Sequence, residues 1–197
     1  MSENGSLGLV ESLRIVYGLK NLKREGWLRR GVPDYLCESV AGHSYRTTQA
    51  GFHYTADTRM TKMLIVHDWG EGIVGDITPH DEVDPNEKSR LETEAMRRIV
   101  RPLPYGNKIM DLWWEYEDGK TPRAKTAKQL DKLDATVMAF VYEDMGFDVS
   151  EFYPYTRDKL ADPTLVRVFD TLLKRDHKLR DSHKVYFGLL AEARHHF

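Results

Sequence analysis

One cysteine, Cys37, is all the chain has, so an intramolecular disulfide is excluded. Such sparing use of cysteine suits a reducing compartment. No stretch comes near the roughly 18 consecutive apolar residues that a membrane helix needs. Residues 1–10 lack the basic flank and long apolar segment of a secretory signal. These absences lead us to expect a cytoplasmic protein with no membrane partner. Charge of one sign is lacking as well: 29 basic against 31 acidic residues leave a formal net charge of −2. That balance argues against long nucleic acid as a partner, and with 41% hydrophobic residues it also argues against disorder. No segment alternates with the two-residue period of a strand, and there is neither an internal repeat nor a low-complexity tract.

What is present is helical periodicity. At 197 residues the chain is long enough for one globular domain with a substantial core. Leu9, Leu13, Val16 and Tyr17 recur at three- and four-residue steps, as do Ile109, Leu112, Trp113 and Tyr116. Asp84-Pro85-Asn86-Glu87 reads as an N-cap, a first-turn proline and a capping-box glutamate, opening a helix through Leu91, Ala95 and Ile99. Asp162-Pro163 starts another through Val166, Phe169 and Leu173. Turn-rich stretches at residues 31–34, 75–85, 101–106 and 119–122 separate the helices, and none is long enough to link two domains. We expect one all-α domain spanning 1–197, with helices from 146 onward packed on the part before them.

Chemistry concentrates where an apolar run, Met63 to Val66, leads into His67-Asp68, with Glu71 four residues after the histidine. On one helix His67 and Glu71 share a face, whereas Asp68 lies about 100° round it. One ion is reached by this pair only in a groove against other helices, so further ligands must come from elsewhere. The bland alternative is a hydrogen-bonded core histidine beside a solvated aspartate. Asp131 interrupts the apolar face of residues 124–143, as does Asp134. A buried carboxylate must pair, coordinate a metal or take up a proton; the alternative to a metal is a salt bridge to Lys128, Lys132 or an arginine. His43 stands near the start of a third helix. Imidazoles with carboxylates favour borderline to hard divalent ions such as Mn, Co, Zn, Fe or Mg.

A histidine, then His-Asp, then a distant aspartate resembles the signature of HD-domain phosphohydrolases. The likeness extends to Arg24-Glu25-Gly26-Trp27, Glu38-Ser39-Val40 with His43 to Arg46, Glu71 to Ile77, Leu112-Trp113 with Glu115 to Glu117, and Lys128-Gln129-Leu130-Asp131. Together these resemble the HD-domain-containing-protein-2 group of 5'-deoxynucleotidases over most of residues 9–145. The resemblance implies a helical bundle with the metal site between core helices, and His43, His67, Asp68 and Asp131 as ligands of a divalent cation. It implies Glu71 and Asp76 as catalytic groups, also placed around a second cation with the Ile77 carbonyl. Arg24 and Trp27 match a region tied to phosphate contact and deoxyribose selection, and a homodimer is implied as well. Two departures bear on the pocket wall: Gly42 stands where the group usually carries an acid, and the segment from His43 to His67 is shorter by about one helical turn.

The expected activity is removal of the 5'-phosphate from a deoxyribonucleoside monophosphate by a water that the cation activates. Glu71 or Asp76 would handle protons and Arg24, with Arg29 or Arg30, would balance phosphate charge; the alternative for Arg29-Arg30 is a solvated surface pair. Two other readings use the same residues: an HD-type deoxynucleoside triphosphate phosphohydrolase, and a non-catalytic module that senses a nucleotide or metal. Trp113 falls on an apolar face and reads as core, which leaves Trp27 as the better base or sugar contact. Cys37 lacks a nearby histidine and is a poor nucleophile candidate, and His195 and His196 read as surface residues.

Overall fold

In the computed structural model, which describes residues 3–174, the chain is all-α as expected. The order is α1 (Glu3–Gly18), α2 (Glu25–Leu28), α3 (Val40–Thr55), α4 (Thr58–Val66), α5 (Glu71–Val74), a 3-10 turn at Pro79–Asp81, α6 (Pro85–Val100), α7 (Gly106–Asp118), α8 (Pro122–Asp144), α9 (Phe152–Lys159) and α10 (Pro163–Leu173). No strand forms among the described residues, though Lys23 and Ser39 make an isolated antiparallel bridge. That bridge holds the loop before α2 against the loop before α3, placing Arg24 next to Glu38. His195 and His196 lie outside the described residues.

Asp84 and Asp162 cap their helices as the sequence predicts. Asp84 Oδ1 accepts the N–H groups of Asn86 (2.9 Å) and Glu87 (3.2 Å), and Asp162 Oδ1 accepts those of Thr164 (2.7 Å) and Leu165 (3.3 Å). The prolines that follow occupy the first turn, where an N–H has no helical partner. Glu87 does not close a capping box; its carboxylate takes Arg90 one turn on, where a full charge outcompetes a backbone dipole. In α10 the buried side chains are Leu165 and Phe169, while the predicted Leu173 is exposed.

Long α8 lies against α3, α4, α7, α9 and α10, and α6 joins α7, α5 and α1 on the far side. Met60, Met63, Leu64, Leu130 and Phe169 form the main apolar cluster, and Val66, Met96, Ile99 and Trp113 a second. The α3–α4 connection is only Ala56 and Asp57, and Gly51 lets the two helices close: a Cβ there would meet Leu64 Cδ1 at 2.5 Å. Trp113 is core, as expected. Among the described residues no helix is long and apolar enough to cross a membrane.

Two expectations are corrected. In α1 the packed face runs through Ser12, Ile15 and the expected Val16, while Leu13 is 41% and Tyr17 68% exposed. Ser12 is small and its hydroxyl donates to the Ile99 carbonyl at 2.6 Å, so a polar residue faces α6 and rotates the helix away from its most apolar stripe. Nor do His67 and Glu71 share one helix. α4 ends at Val66, and i+3 hydrogen bonds from Trp69 (3.2 Å), Glu71 (3.1 Å) and Gly72 (3.1 Å) wind the chain tightly into α5.

Gly75 terminates α5 at φ 85° and ψ 170°, a region open in practice only to glycine, and so turns Asp76 back toward Arg24. Gly75→Ala should lower the unfolding free energy by about 1–3 kcal/mol in urea titration, and an unchanged midpoint would contradict this account of the turn.

Candidate active site

The four residues expected to ligate a metal converge from three helices. His43 comes from the first turn of α3, opened by Ser39, whose Oγ accepts the Gly42 N–H at 3.1 Å. His67 and Asp68 follow the end of α4, and Asp131 comes from the middle of α8. One donor atom from each of His43, His67 and Asp68 lies within 4.8 Å of the others. Asp131 Oδ1 sits 2.9 Å from His43 Nε2, and Asp68 Oδ2 sits 3.0 Å from His67 Nε2 and 3.7 Å from His43 Nε2.

Both imidazoles are held from behind. His67 Nδ1 donates to the Leu64 carbonyl at 2.8 Å and His43 Nδ1 pairs with Asp134 Oδ2 at 2.8 Å, so each ring presents Nε2 to the centre. Outer partners of this kind fix the tautomer and orientation of metal-binding histidines. Among the described residues, four buried side-chain polar atoms have no hydrogen-bond partner: His67 Nε2, Asp68 Oδ2, Glu71 Oε2 and the distant Thr136 Oγ1. Two of the four, on His67 and Asp68, lie 3.0 Å apart in the His43 group, and Glu71 lines the cleft beside them. Buried polar atoms are normally satisfied, and a divalent cation would supply what His67 and Asp68 lack. The donor set of two nitrogens and two carboxylates fits such an ion.

Electrostatics agree with the geometry. Burial alone would raise the Asp68 carboxyl, yet the His67 imidazole beside it, with His43 and Arg24, holds it below its ordinary range. Burial would also raise Asp131, and Lys132 and His43 hold it well below. Burial and Arg24 pull the His43 imidazole down, but hydrogen bonds with Asp131 and Asp134 prevail and lift it to about 9. Glu71 goes the other way: burial, then the Asp68 and Asp76 carboxylates, push it well above the usual glutamate value.

The centre opens on a cleft of about 540 Å³, lined among others by Arg24, Trp27, Glu71, Asp76, Lys88, Tyr116, Lys128 and Lys132. A model of the HD domain matches residues 16–164. The chain belongs to the HD-domain family. The HD domain is a metal-dependent phosphohydrolase fold. The chain is 36% identical to the 5'-deoxynucleotidase HDDC2 of Bos taurus, covering 87% of each chain. It is 39% identical to the 5'-deoxynucleotidase hdd1 of Schizosaccharomyces pombe, over 73% of this chain and 76% of that one. Among solved structures it is similar to a conserved hypothetical protein from Pyrococcus furiosus, with a TM-score of 0.67 and 28% identity, covering 84% of this chain and 99% of that one.

Other expected residues of this HD domain fall into place unevenly. Asp76 lines the cleft, but both its oxygens are taken: Oδ1 by Arg24 at 3.3 Å and Oδ2 by the Glu25 N–H at 2.7 Å. The Ile77 carbonyl accepts Lys88 Nζ at 2.7 Å. A second cation at Glu71, Asp76 and Ile77 would therefore have to displace two cationic side chains. Trp27 is buried, with its indole N–H donating to Glu38 Oε1 at 2.7 Å, and reaches the cleft wall. Arg29 and Arg30 are surface residues, paired with Asp81 and Glu151, so the bland reading of that pair holds. For Asp131 both readings are represented: Oδ2 takes Lys132 (2.7 Å) and Tyr116 (3.0 Å), while Oδ1 faces His43. Lys132 was named in the sequence as a salt-bridge partner for Asp131 and is one, whereas Lys88, Tyr116 and the Arg46–Glu38 pair were given no role.

Cys37 is buried, and burial, then Glu38, raise its thiol to about 11, which disfavours the thiolate near neutral pH. Because the thiolate is the reactive form, alkylation of the native protein by iodoacetamide should be negligible near pH 8 and climb about tenfold per pH unit toward that value. Rapid labelling of folded protein at pH 8 would show the thiol to be neither buried nor raised.

Proposed function

We propose that this protein is a 5'-deoxynucleotidase, a metal-dependent phosphomonoesterase releasing inorganic phosphate from deoxyribonucleoside 5'-monophosphates. The observation that carries the reading is the meeting of His43, His67 and Asp68 donor atoms at one spot, with Asp131 against His43 and the unpartnered Glu71 carboxyl on the adjoining cleft wall. The named activity of the relatives supports it. His43, His67, Asp68 and Asp131 hold the divalent ion, with Mn, Co, Zn, Fe and Mg all compatible with the donors. Bound there, it lowers the pKa of a water toward neutrality and offsets charge on the phosphoryl oxygens.

The chain's own groups do the rest. Arg24 faces Glu71 and Asp76 with donors of its guanidinium left for phosphate oxygens. Asp76 and the Glu25 N–H hold that arginine in place, so Asp76 is a positioning residue. Glu71, whose surroundings favour its protonated form, gives its proton to the departing 5' oxygen as the water oxygen bonds to phosphorus and the P–O5' bond breaks, and the proton the water sheds passes to solvent, from which Glu71 is reprotonated. Inorganic phosphate and a deoxynucleoside leave. The buried Trp27 edge forms the wall for sugar or base.

Charge favours a monophosphate over a triphosphate. Seven aspartate or glutamate and four lysine or arginine side chains line the cleft. Lys132 is tied to Asp131, Lys88 to Ile77, and Lys128 lies over the Tyr116 ring at 4.5 Å. None is left as a cluster for β and γ phosphates. A cytoplasmic homodimer completes the reading; the exposed Leu7, Val10, Leu13 and Tyr17 of α1 offer it an apolar face.

The test is phosphate release from deoxy- and ribonucleoside mono- and triphosphates by metal-stripped protein given back Mn, Co, Zn or Mg singly. Ion-restored hydrolysis of deoxynucleoside monophosphates is expected. Release of tripolyphosphate or pyrophosphate would move the reading to a triphosphate phosphohydrolase, and no hydrolysis by loaded, folded protein to a sensing module. Asp68→Ala should lose both ion and turnover while staying folded. Glu71→Gln should keep the ion, measured by elemental analysis, and lose about 10²- to 10⁴-fold in kcat; full activity would remove Glu71 from the chemistry.

A further inference from the structure

Behind His43 runs a chain of charged hydrogen bonds that the proposed chemistry does not use. His43 Nδ1 meets Asp134 Oδ2 at 2.8 Å. Arg46, one turn along α3, clamps Asp134 as a fork, with Nε 2.9 Å from Oδ1 and the terminal nitrogen 2.8 Å from Oδ2. The same terminal nitrogen pairs with Glu38 Oε2. Glu38 Oε1 accepts the Trp27 indole N–H at 2.7 Å, and the Glu38 backbone N–H donates to the Tyr142 hydroxyl at 2.8 Å. Trp27 lines the cleft; Glu38, Arg46 and Asp134 do not.

The cost of this arrangement argues for more than stability. The side chains of Glu38 and Asp134 are each 6% exposed and Arg46 33%, and an ion pair whose carboxylates are buried is commonly no better for stability than an apolar substitute. What an apolar substitute lacks is direction. Both oxygens of both carboxylates are committed, each through a charge-assisted or indole N–H bond, and the series ends on the one imidazole nitrogen that faces away from the centre. We propose that Glu38, Arg46 and Asp134 are positioning residues for the cation, tying the Trp27 wall of the cleft to His43, so that ion affinity depends on side chains that neither ligate nor line the cleft. The inference rests on the assignment of His43 as a ligand in the proposed function.

The experiment is a Mn²⁺ titration of metal-stripped, full-length protein, with free Mn²⁺ read by electron paramagnetic resonance, alongside a melting curve of each metal-free variant. Arg46→Met should weaken Mn²⁺ binding by roughly 10- to 100-fold, the scale seen when an outer partner of a metal ligand is lost. Arg46→Lys, which keeps the charge without the fork, should recover part of that. Trp27→Phe, which keeps an aromatic ring but removes the terminal N–H, should weaken binding by a smaller factor. Leu165→Ala, a cavity made in α10 at a buried side chain that does not line the cleft, should lower the melting temperature and leave Mn²⁺ affinity as it was, separating positioning from loss of stability. Wild-type affinity in folded Arg46→Met overturns the relay. Should that variant not fold, Glu38→Gln, of the same shape, is read the same way: weakened binding supports the relay and unchanged binding overturns it. Absence of Mn²⁺ binding by the wild type overturns the ligand assignment itself, a failure distinct from that of the relay.

Discussion

A carboxylate withdrawn from water onto the apolar face of a helix costs several kcal/mol unless positive charge meets it, and Asp131 is in that position near the middle of α8. Much of the surrounding structure answers that demand. Lys132 and the Tyr116 hydroxyl take one oxygen, His43 the other, and His43 in turn needs Asp134 at its back, which needs Arg46. Asp68 and His67 enter the same field from the end of α4. The helices could pack in several registers on apolar contacts alone; the polar centre selects one in which these groups meet. It also explains why α3, α4, α7 and α8 are the elements most closely joined there.

The all-α architecture could be read because it is written locally. Asp-Pro steps at Asp84 and Asp162 satisfy their own helix termini without help from elsewhere, and the α7 stripe follows from its own period. Expectations failed where a neighbour had the deciding vote. Ser12 faces inward because the Ile99 carbonyl on α6 needs a donor, and nothing in α1 announces that. The break after Val66 is set by the descent into α5, whereas the residues around it have the makings of a continuing helix.

The centre divides along the same line. A histidine after an apolar run and an aspartate interrupting one are visible as local anomalies, and the structure brings His43, His67 and Asp68 to one place, with Asp131 joined to them through His43. Asp134 was visible as a second interruption, but its partner lies 88 positions away. Arg24 and Asp76 are 52 positions apart, Lys88 and Ile77 are joined through a backbone carbonyl, and Glu38 reaches Trp27 across a single bridge between loops. Pairings of this kind depend on tertiary closure, which residue spacing does not encode.

Those long sequence separations carry a thermodynamic consequence. His43 and Asp131 are 88 positions apart, so the unfolded chain offers an ion only scattered, solvated side chains, while the folded chain offers a preformed cage. A ligand that prefers the native state by so much acts as part of the fold. At a free concentration a hundred times the dissociation constant it adds about 2.7 kcal/mol, a sizeable share of the 5–15 kcal/mol that holds a typical protein together. An ion held there would therefore protect the folded chain against unfolding, and so against proteolysis, apart from any part in turnover.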